Sequence, residues 1–253
     1  MIKIIMHGCS GKMGKIICAL LKNTPDCELV AGIDPSGGSE TFPVYEDIAN
    51  CPITPDAIID FSTAAAVPGL IRAAADKSIP LVICTTGLSD ATLTQISDAS
   101  KTIPIFHSSN MLLGVNLISN ILKRISPLLC ESGFDVEIIE KHHNKKIDAP
   151  SGTAIMLADA VNASLPSKMD YVYDRSQKRE PRPNSEIGIH AIRGGTFVGE
   201  HSIIFAGTDE VIEIKHSAMS KDAFAAGSIK AAKFIAGCPV GLYNMQDMLQ
   251  NEI

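Results

Sequence analysis

The chain has no tryptophan, and aromatic residues make up only 5% of its 253 residues. That excludes the stacking platforms on which single-stranded nucleic acids are held. Positive charge is not in excess either: 22 Lys and Arg stand against 28 Asp and Glu, a net charge of −6. No nucleic-acid partner is therefore expected. No apolar run approaches the ~20 residues that span a bilayer, so no membrane partner is expected. The apolar start MIKIIM is too short for a secretory signal and turns straight into glycines, so no leader is expected. The seven cysteines (9, 18, 27, 51, 84, 130 and 238) include no CxxC pair. An odd, scattered set reads as reduced thiols in a cytoplasmic protein rather than as a disulfide framework. Internal repeats and low-complexity segments are missing as well. What remains is 45% hydrophobic and 20% charged, enough for one large domain or two moderate ones.

The first hundred residues alternate strand and helix signals. Short apolar runs at 2–6, 28–33, 57–60, 79–84 and 103–107 read as buried parallel strands. Amphipathic or Ala-rich helices are expected between them at about 12–22, up to about 77, and 90–100, with Pro68 fitting only a first turn. This pattern predicts a doubly wound α/β sheet of Rossmann type. Ligands of such sheets bind beyond the carboxyl ends of the strands. The residues there are GCSGKMG, Asp34, Phe61-Ser62, CTTG and HSSN, all but the phenylalanine and a methionine being small or polar.

Gly8, Gly11 and Gly14 spell GxxGxxG, a variant of the dinucleotide pattern GxGxxG, with Cys9 where the strict pattern has its first glycine. A glycine turn lets a pyrophosphate approach the backbone, and the next helix offers free N–H groups at its positive end. Asp34 lies twenty residues after Gly14, where a carboxylate accepts hydrogen bonds from an adenine ribose. The bare alternative is a tight turn and a capped strand. The preceding strand, the following helix and the spaced acid together favour a dinucleotide. Asp34 repels a 2′-phosphate, and Pro35 and Ser36 bring no positive charge. The cofactor expectation is NADH or NADPH, leaning to NADH, with Lys12 and Lys15 near enough to compensate.

The second half has a different texture. A long helix is expected over about 114–130, a strand at 134–141, and a helix over 152–162 capped by Ser151. Residues 168–186 are polar and predicted to be a mobile surface loop. Strands follow at 187–193, 196–206 and 210–217, then a final helix at about 221–235. The expected division is a dinucleotide-binding domain at 1–112, and an α+β domain on a mixed sheet at 113–219 for substrate and oligomerisation. A helical segment at 220–253 is expected to return to the first domain.

In this acidic chain, EKHHNKKIDAPSGTA (140–154) concentrates two histidines and three lysines within six residues. Adjacent strand residues point to opposite faces, so His142 and His143 do not readily share one metal ion, and the lysines repel a cation. A solvated basic loop is the plain alternative. Against it, the cluster follows an apolar strand and ends in a proline turn and a capped helix start, where Gly152 and Thr153 present N–H groups. That favours a pocket for carboxylates, with groups able to deliver a proton.

The same stretch resembles the E-x-H-H-x-x-K-x-D-A-P-S-G-T-A signature of the dihydrodipicolinate reductases of bacteria and plants. The likeness extends through GCSGKMG, DFS at 60–62, TTG at 85–87, NMLLGVN at 110–116, RGGTFVGEH at 193–201 and GLYNMQDML at 241–249. The resemblance implies reduction of 4-hydroxy-tetrahydrodipicolinate to tetrahydrodipicolinate, with loss of water and hydride from NADH or NADPH, on the diaminopimelate route to lysine. It implies His142 as acid/base, Lys146 as proton donor, and His143, Gly152 and Thr153 as holders of the cyclic dicarboxylate. It implies cofactor contacts at Gly8, Cys9, Ser10, Gly11, Lys12, Met13, Asp34, Cys84, Thr85, Thr86, Ser108, Ser109, Asn110 and Met111. It also implies a homotetramer joined through sheets of the second domain. The chain departs from the family's pattern at Cys84, Pro35, Lys221 and Met111. Two other classes are alternatives: a nucleotide-sensing module without chemistry, and another two-domain amino-acid dehydrogenase. Neither carries an intact HHNKKIDAPSGTA.

Overall fold

The computed structural model describes residues 1–38 and 41–250. The chain divides into two compact units: Met1–Leu112 with Lys221–Ile253, and Leu113–Ser220.

In chain order the first unit begins with β1 (Ile2–His7), α1 (Lys12–Leu21), β2 (Cys27–Ile33), β3 (Val44–Tyr45), β4 (Ala57–Asp60), α2 (Val67–Asp76), β5 (Leu81–Ile83), α3 (Asp90–Ala99) and β6 (Pro104–His107). The second unit holds α4 (Leu113–Glu131), β7 (Asp135–His142), α5 (Gly152–Asn162), β8 (Asp170–Val172), β9 (Glu186–Arg193), β10 (Gly199–Ala206) and β11 (Val211–Ala218). The chain then returns to the first unit as α6 (Asp222–Ile235), β12 (Gly241–Tyr243) and α7 (Met245–Gln250).

The first sheet has seven strands in the order β12-β6-β5-β4-β1-β2-β3, and every neighbouring pair is parallel. Its central strands are buried on both faces, as the unbroken runs Ile4-Ile5-Met6, Ile58-Ile59 and Leu81-Val82-Ile83 require. Ile5, Ile58, Ile83 and Ile105 pack with Leu70 and Ile71 of α2 and Ile96 of α3. Helices α1 and α6 pack on each other; Lys233 of α6 reaches Asp26 before β2 at 2.7 Å. The order places the ends of β1 and β4 side by side, with His7 opposite Asp60. Five strand signals were legible in the first hundred residues. The sheet also recruits β3 and β12, of two and three residues.

The second sheet has five strands in the order β11-β10-β7-β9-β8. It is mixed: β10 runs antiparallel to β7 and β11, while β7–β9 and β8–β9 are parallel. In β7, Val136, Ile138, Glu140 and His142 alternate as the buried side. A two-residue period thus carries an acid and a histidine onto the face that begins with Val and Ile.

The loop expected at 168–186 is irregular over 173–185, and the departure from the expectation is a short strand near its start. Asp170–Val172 forms β8. Arg182 binds Glu137 Oε1 (3.0 Å), Asp135 Oδ1 (2.5 Å) and the carbonyls of Val136 (3.1 Å) and Glu186 (2.5 Å). Arg175 and Lys178 both pair with Glu186. A segment rich in charge is held here because its cations meet acids presented by the strand edges.

Candidate active site

The second unit assembles its site from four segments. The buried row of β7 delivers Glu140 and His142, which neighbour each other two residues apart on one face. Ser151 caps α5 by accepting Ala154 N–H at 3.2 Å. Arg193 ends β9, in register with His142. His201 on β10 lies in register with Glu140.

Glu140 is completely buried. Its Oε1 accepts Ser151 N–H at 2.9 Å and Arg193 at 2.7 Å. Its Oε2 accepts Arg193 at 2.7 Å and lies 2.6 Å from His142 Nδ1. Burial works against its charge, but the hydrogen bonds from Arg193, His142 and Ser151 outweigh it and hold the carboxyl below the usual carboxylate range. His142 therefore faces an ionised acceptor, and its Nδ1 carries the hydrogen. The other nitrogen, Nε2, lies beside Gly199. A Cβ built there would stand 3.0 Å from Nε2, so glycine leaves that nitrogen accessible.

The His201 ring meets His142 edge-on, with centroids 5.3 Å apart. Its Nε2 is 3.1 Å from Ser151 Oγ, and its Nδ1 is buried without a hydrogen-bond partner among the described residues. Burial first, then the neighbouring His142, pushes the His201 pKa down to about 4. The ring stays neutral at neutral pH.

The turn after β7 supplies the remaining groups. Lys146 Nζ pairs with Asp148 Oδ1 at 2.8 Å, and this lysine holds the Asp148 carboxyl below its ordinary range. Arg193 also donates to Asp148 O at 2.6 Å, tying the lysine's partner to the Glu140 cluster. His143 N–H donates to Phe197 O at 2.9 Å. Its side-chain Nδ1 is buried and has no hydrogen-bond partner among the described residues. Gly152 opens α5 with nothing within 4 Å of a built Cβ, and Thr153 follows it in the same first turn. Lys141 points the other way, 3.7 Å from Glu200, and Lys145 is exposed.

The first unit holds a cavity of about 550 Å³ at the carboxyl ends of its strands, lined among others by His7, Gly8, Gly11, Asp34, Phe61 and Ser62. The glycine turn is obligatory. Gly8 has φ +82°, and a Cβ there would meet Phe61 O at 2.6 Å. A Cβ at Gly14 would stand 2.1 Å from Gly8 O, so only glycine lets α1 close on the turn. That cradle fits a pyrophosphate against the start of α1.

Asp34 Oδ2 accepts Ser10 N–H at 3.0 Å, and Oδ1 accepts Ser36 N–H at 3.0 Å and its hydroxyl at 2.5 Å. Burial opposes its charge, but the hydrogen bonds from Ser36 and Ser10 hold its carboxyl below the ordinary value. Glu46 and Asp47 line the same cavity, with Arg72. Lys12 and Lys15 do not; Lys15 instead lines a second cavity of about 420 Å³ with Cys9 and Ser10. Met13 is half-buried. Cys84, Thr85, Asn110 and Met111 are buried, and none of Cys84–Thr86 or Ser108–Met111 lines the first cavity. Burial pushes the Cys84 thiol well up, so it remains a neutral packing group. Thr85 instead donates to Asp60 Oδ2 at 2.6 Å, and Asp60 Oδ1 lies 2.6 Å from His7 Nδ1.

Sequence reasoning assigned no role to Glu140, Arg193, Gly199, His201 or His7. The signal for Glu140 was the E-x-H spacing on a strand. Arg193 and His201 stood in RGGTFVGEH, but their partner depends on strand register.

Two family models match the chain: "Dihydrodipicolinate reductase, N-terminus" over residues 2–111 and "Dihydrodipicolinate reductase, C-terminus" over 114–249. A 4-hydroxy-tetrahydrodipicolinate reductase of Caldanaerobacter subterraneus is 52% identical over 250 residues, covering 99% of both chains. One of Clostridium tetani is 49% identical over 252 residues, covering 99% of this chain and 98% of the relative. A solved dihydrodipicolinate reductase from Paenisporosarcina sp. TG-14, bound to dipicolinate, superposes with a TM-score of 0.80. It is 25% identical and covers 96% of this chain and 97% of its own.

Proposed function

The chain belongs to the dihydrodipicolinate reductase family, and on that premise we propose that it reduces 4-hydroxy-tetrahydrodipicolinate to tetrahydrodipicolinate, a step on the diaminopimelate route to lysine. The observation that carries the reading is the built acid/base centre in the second unit: His142 held by Glu140, with Lys146 on the adjoining turn.

The substrate is a cyclic dicarboxylate, and the solved relative holds dipicolinate, a compound of the same class. His143 and the N–H groups of Gly152 and Thr153 bind its carboxylates. The buried, unpartnered Nδ1 of His143 supports this, as does the open space before Gly152. His142 takes or returns a proton through Nε2 as water leaves. Lys146, kept in place by Asp148, delivers a proton to the ring as it is reduced. His201, neutral beside His142, adds no competing positive charge.

The bound nicotinamide supplies the hydride. Gly8 to Met13 cradle the dinucleotide's pyrophosphate, and Asp34 accepts the ribose hydroxyls. The resemblance adds Cys84 to Thr86 and Ser108 to Met111 to this contact set, although none of them lines the cavity and Cys84, Thr85, Asn110 and Met111 are buried. NADH is the preferred cofactor: Asp34, Glu46 and Asp47 oppose a 2′-phosphate, with Arg72 as the one cation among the residues lining the cavity.

We assign a homotetramer built through the outer face of the second sheet, where Ile192 is 44% exposed. The chain is placed in the cytoplasm, in keeping with seven free cysteines. Among the described residues no helix is long and apolar enough to cross a membrane.

The test is steady-state kinetics on two variants. Lys146→Ala is expected to lower kcat by roughly 100-fold or more with NADH binding near normal. His142→Gln is expected to lose the acidic limb of the pH–rate profile. Near-wild-type turnover in both would sink the assignment.

A further inference from the structure

We propose that Glu140, clamped by Arg193, is the positioning residue that fixes which ring nitrogen of His142 handles protons. This rests on the acid/base reading of His142 and goes beyond it, because it names what sets that histidine's tautomer.

Glu140 has four donors for its two oxygens: Ser151 N–H and Arg193 on Oε1, Arg193 and His142 Nδ1 on Oε2. A carboxylate only accepts, so Nδ1 must donate and Nε2 is left as the proton-handling atom. The exposed side of the ring agrees: glycine at 199 keeps space open beside Nε2. The acid is neither exposed nor mobile. It is fully buried, and its donors come from β7, β9 and the start of α5, so its direction is over-determined.

Arg193 does more than fill the remaining lone pairs. Bidentate pairing with its guanidinium fixes the plane of the Glu140 carboxylate and so the direction from which it meets the ring. Arg193 also donates to the Asp148 carbonyl, while the Asp148 carboxylate holds Lys146. One arginine therefore registers both proton-handling side chains.

A purely structural role for this cluster predicts lost stability but no change in tautomer. The experiment is nitrogen-15 spectroscopy of the histidine side chains in the full-length protein at alkaline pH, comparing wild type with Glu140→Gln. His142 signals are identified by their absence in His142→Gln, and kcat and KM for NADH are measured in parallel. Wild type is expected to show the Nδ1–H tautomer. Glu140→Gln is expected to shift His142 toward Nε2–H and to lower kcat by roughly 100-fold, with KM for NADH within about twofold. If Glu140→Gln does not fold, Glu140→Asp, with the same charge set back by one methylene, is expected to show a mixed tautomer and a smaller loss. An Nε2–H tautomer in wild type, or an unchanged tautomer and rate in the variants, overturns the proposal. Full activity in His142→Gln would instead overturn the acid/base reading, whatever the spectra show.

Discussion

Arg193 meets Glu140 end-on, each terminal nitrogen 2.7 Å from a different carboxylate oxygen, although 53 residues separate them in the chain. The carboxylate is fully buried. Such a pair is costly to break from one side, because the remaining charge stays buried without its partner. Arg193→Ala is expected to destabilise the second unit by about 3–5 kcal/mol. Arg193→Lys is expected to recover part of that, since it keeps the charge and loses the fork. Urea unfolding followed by circular dichroism measures both; equal stability of Arg193→Ala and wild type would contradict the burial argument.

Gly199 leaves His142 Nε2 its space, with a built Cβ at 3.0 Å. Gly199→Ala is expected to displace the ring by a few tenths of an ångström and to lower kcat by roughly 10-fold. NADH affinity, proposed above to rest on residues of the first unit, is expected to be unchanged. Fluorescence titration of NADH alongside initial rates separates the two effects.

His201 gives a pH signature. Its folded pKa of about 4 lies below the ordinary 6.5, so between those values the unfolded chain binds a proton that the folded chain refuses. Stability is therefore full above pH 6.5 and falls as pH drops toward 4. The loss between pH 7.5 and pH 5 is expected to be about 2 kcal/mol. His201→Gln keeps an acceptor for Ser151 and removes the titration, so its unfolding free energy is expected to be flatter over this range. The same slope in the variant would show that another group is responsible.

Asp34 sets cofactor choice in this account. Both its oxygens are held in place by Ser10 and Ser36, and a 2′-phosphate would approach it charge to charge. Wild type is expected to favour NADH over NADPH in kcat/KM by more than about 10-fold, and Asp34→Asn to narrow the ratio by roughly 10-fold. A wild-type preference for NADPH would point to Arg72 as the decisive group in the cavity.

The parallel sheet was legible because its central strands are continuous apolar runs ended by glycine or polar residues. Ile2 to Met6 and Ala57 to Asp60 cannot be amphipathic surface structure. The α5 start was legible from Ser151, whose hydroxyl caps Ala154 N–H. Strands β3, β8 and β12 were not, since two or three residues carry no period. The histidines and lysines of 141–146 stood out by residue type, and the resemblance singled out His142 and Lys146 among them. Glu140 stood in the signature without a role, and Arg193 as the last residue of an expected strand. Their pairing follows from the register of β7 against β9, which aligns His142 with Arg193, and register is a tertiary property. The pairing of Arg182 was hidden for a related reason: it looks solvated until the acids of β7 are placed beside it.

The most direct test of the central claim is a coupled assay. Purified protein is mixed with pyruvate, aspartate semialdehyde and the synthase that condenses them, and oxidation of NADH and of NADPH is followed separately at 340 nm. The account predicts synthase-dependent oxidation, faster with NADH and slowed by roughly 100-fold or more in Lys146→Ala. No oxidation of either cofactor by the wild-type chain would contradict it.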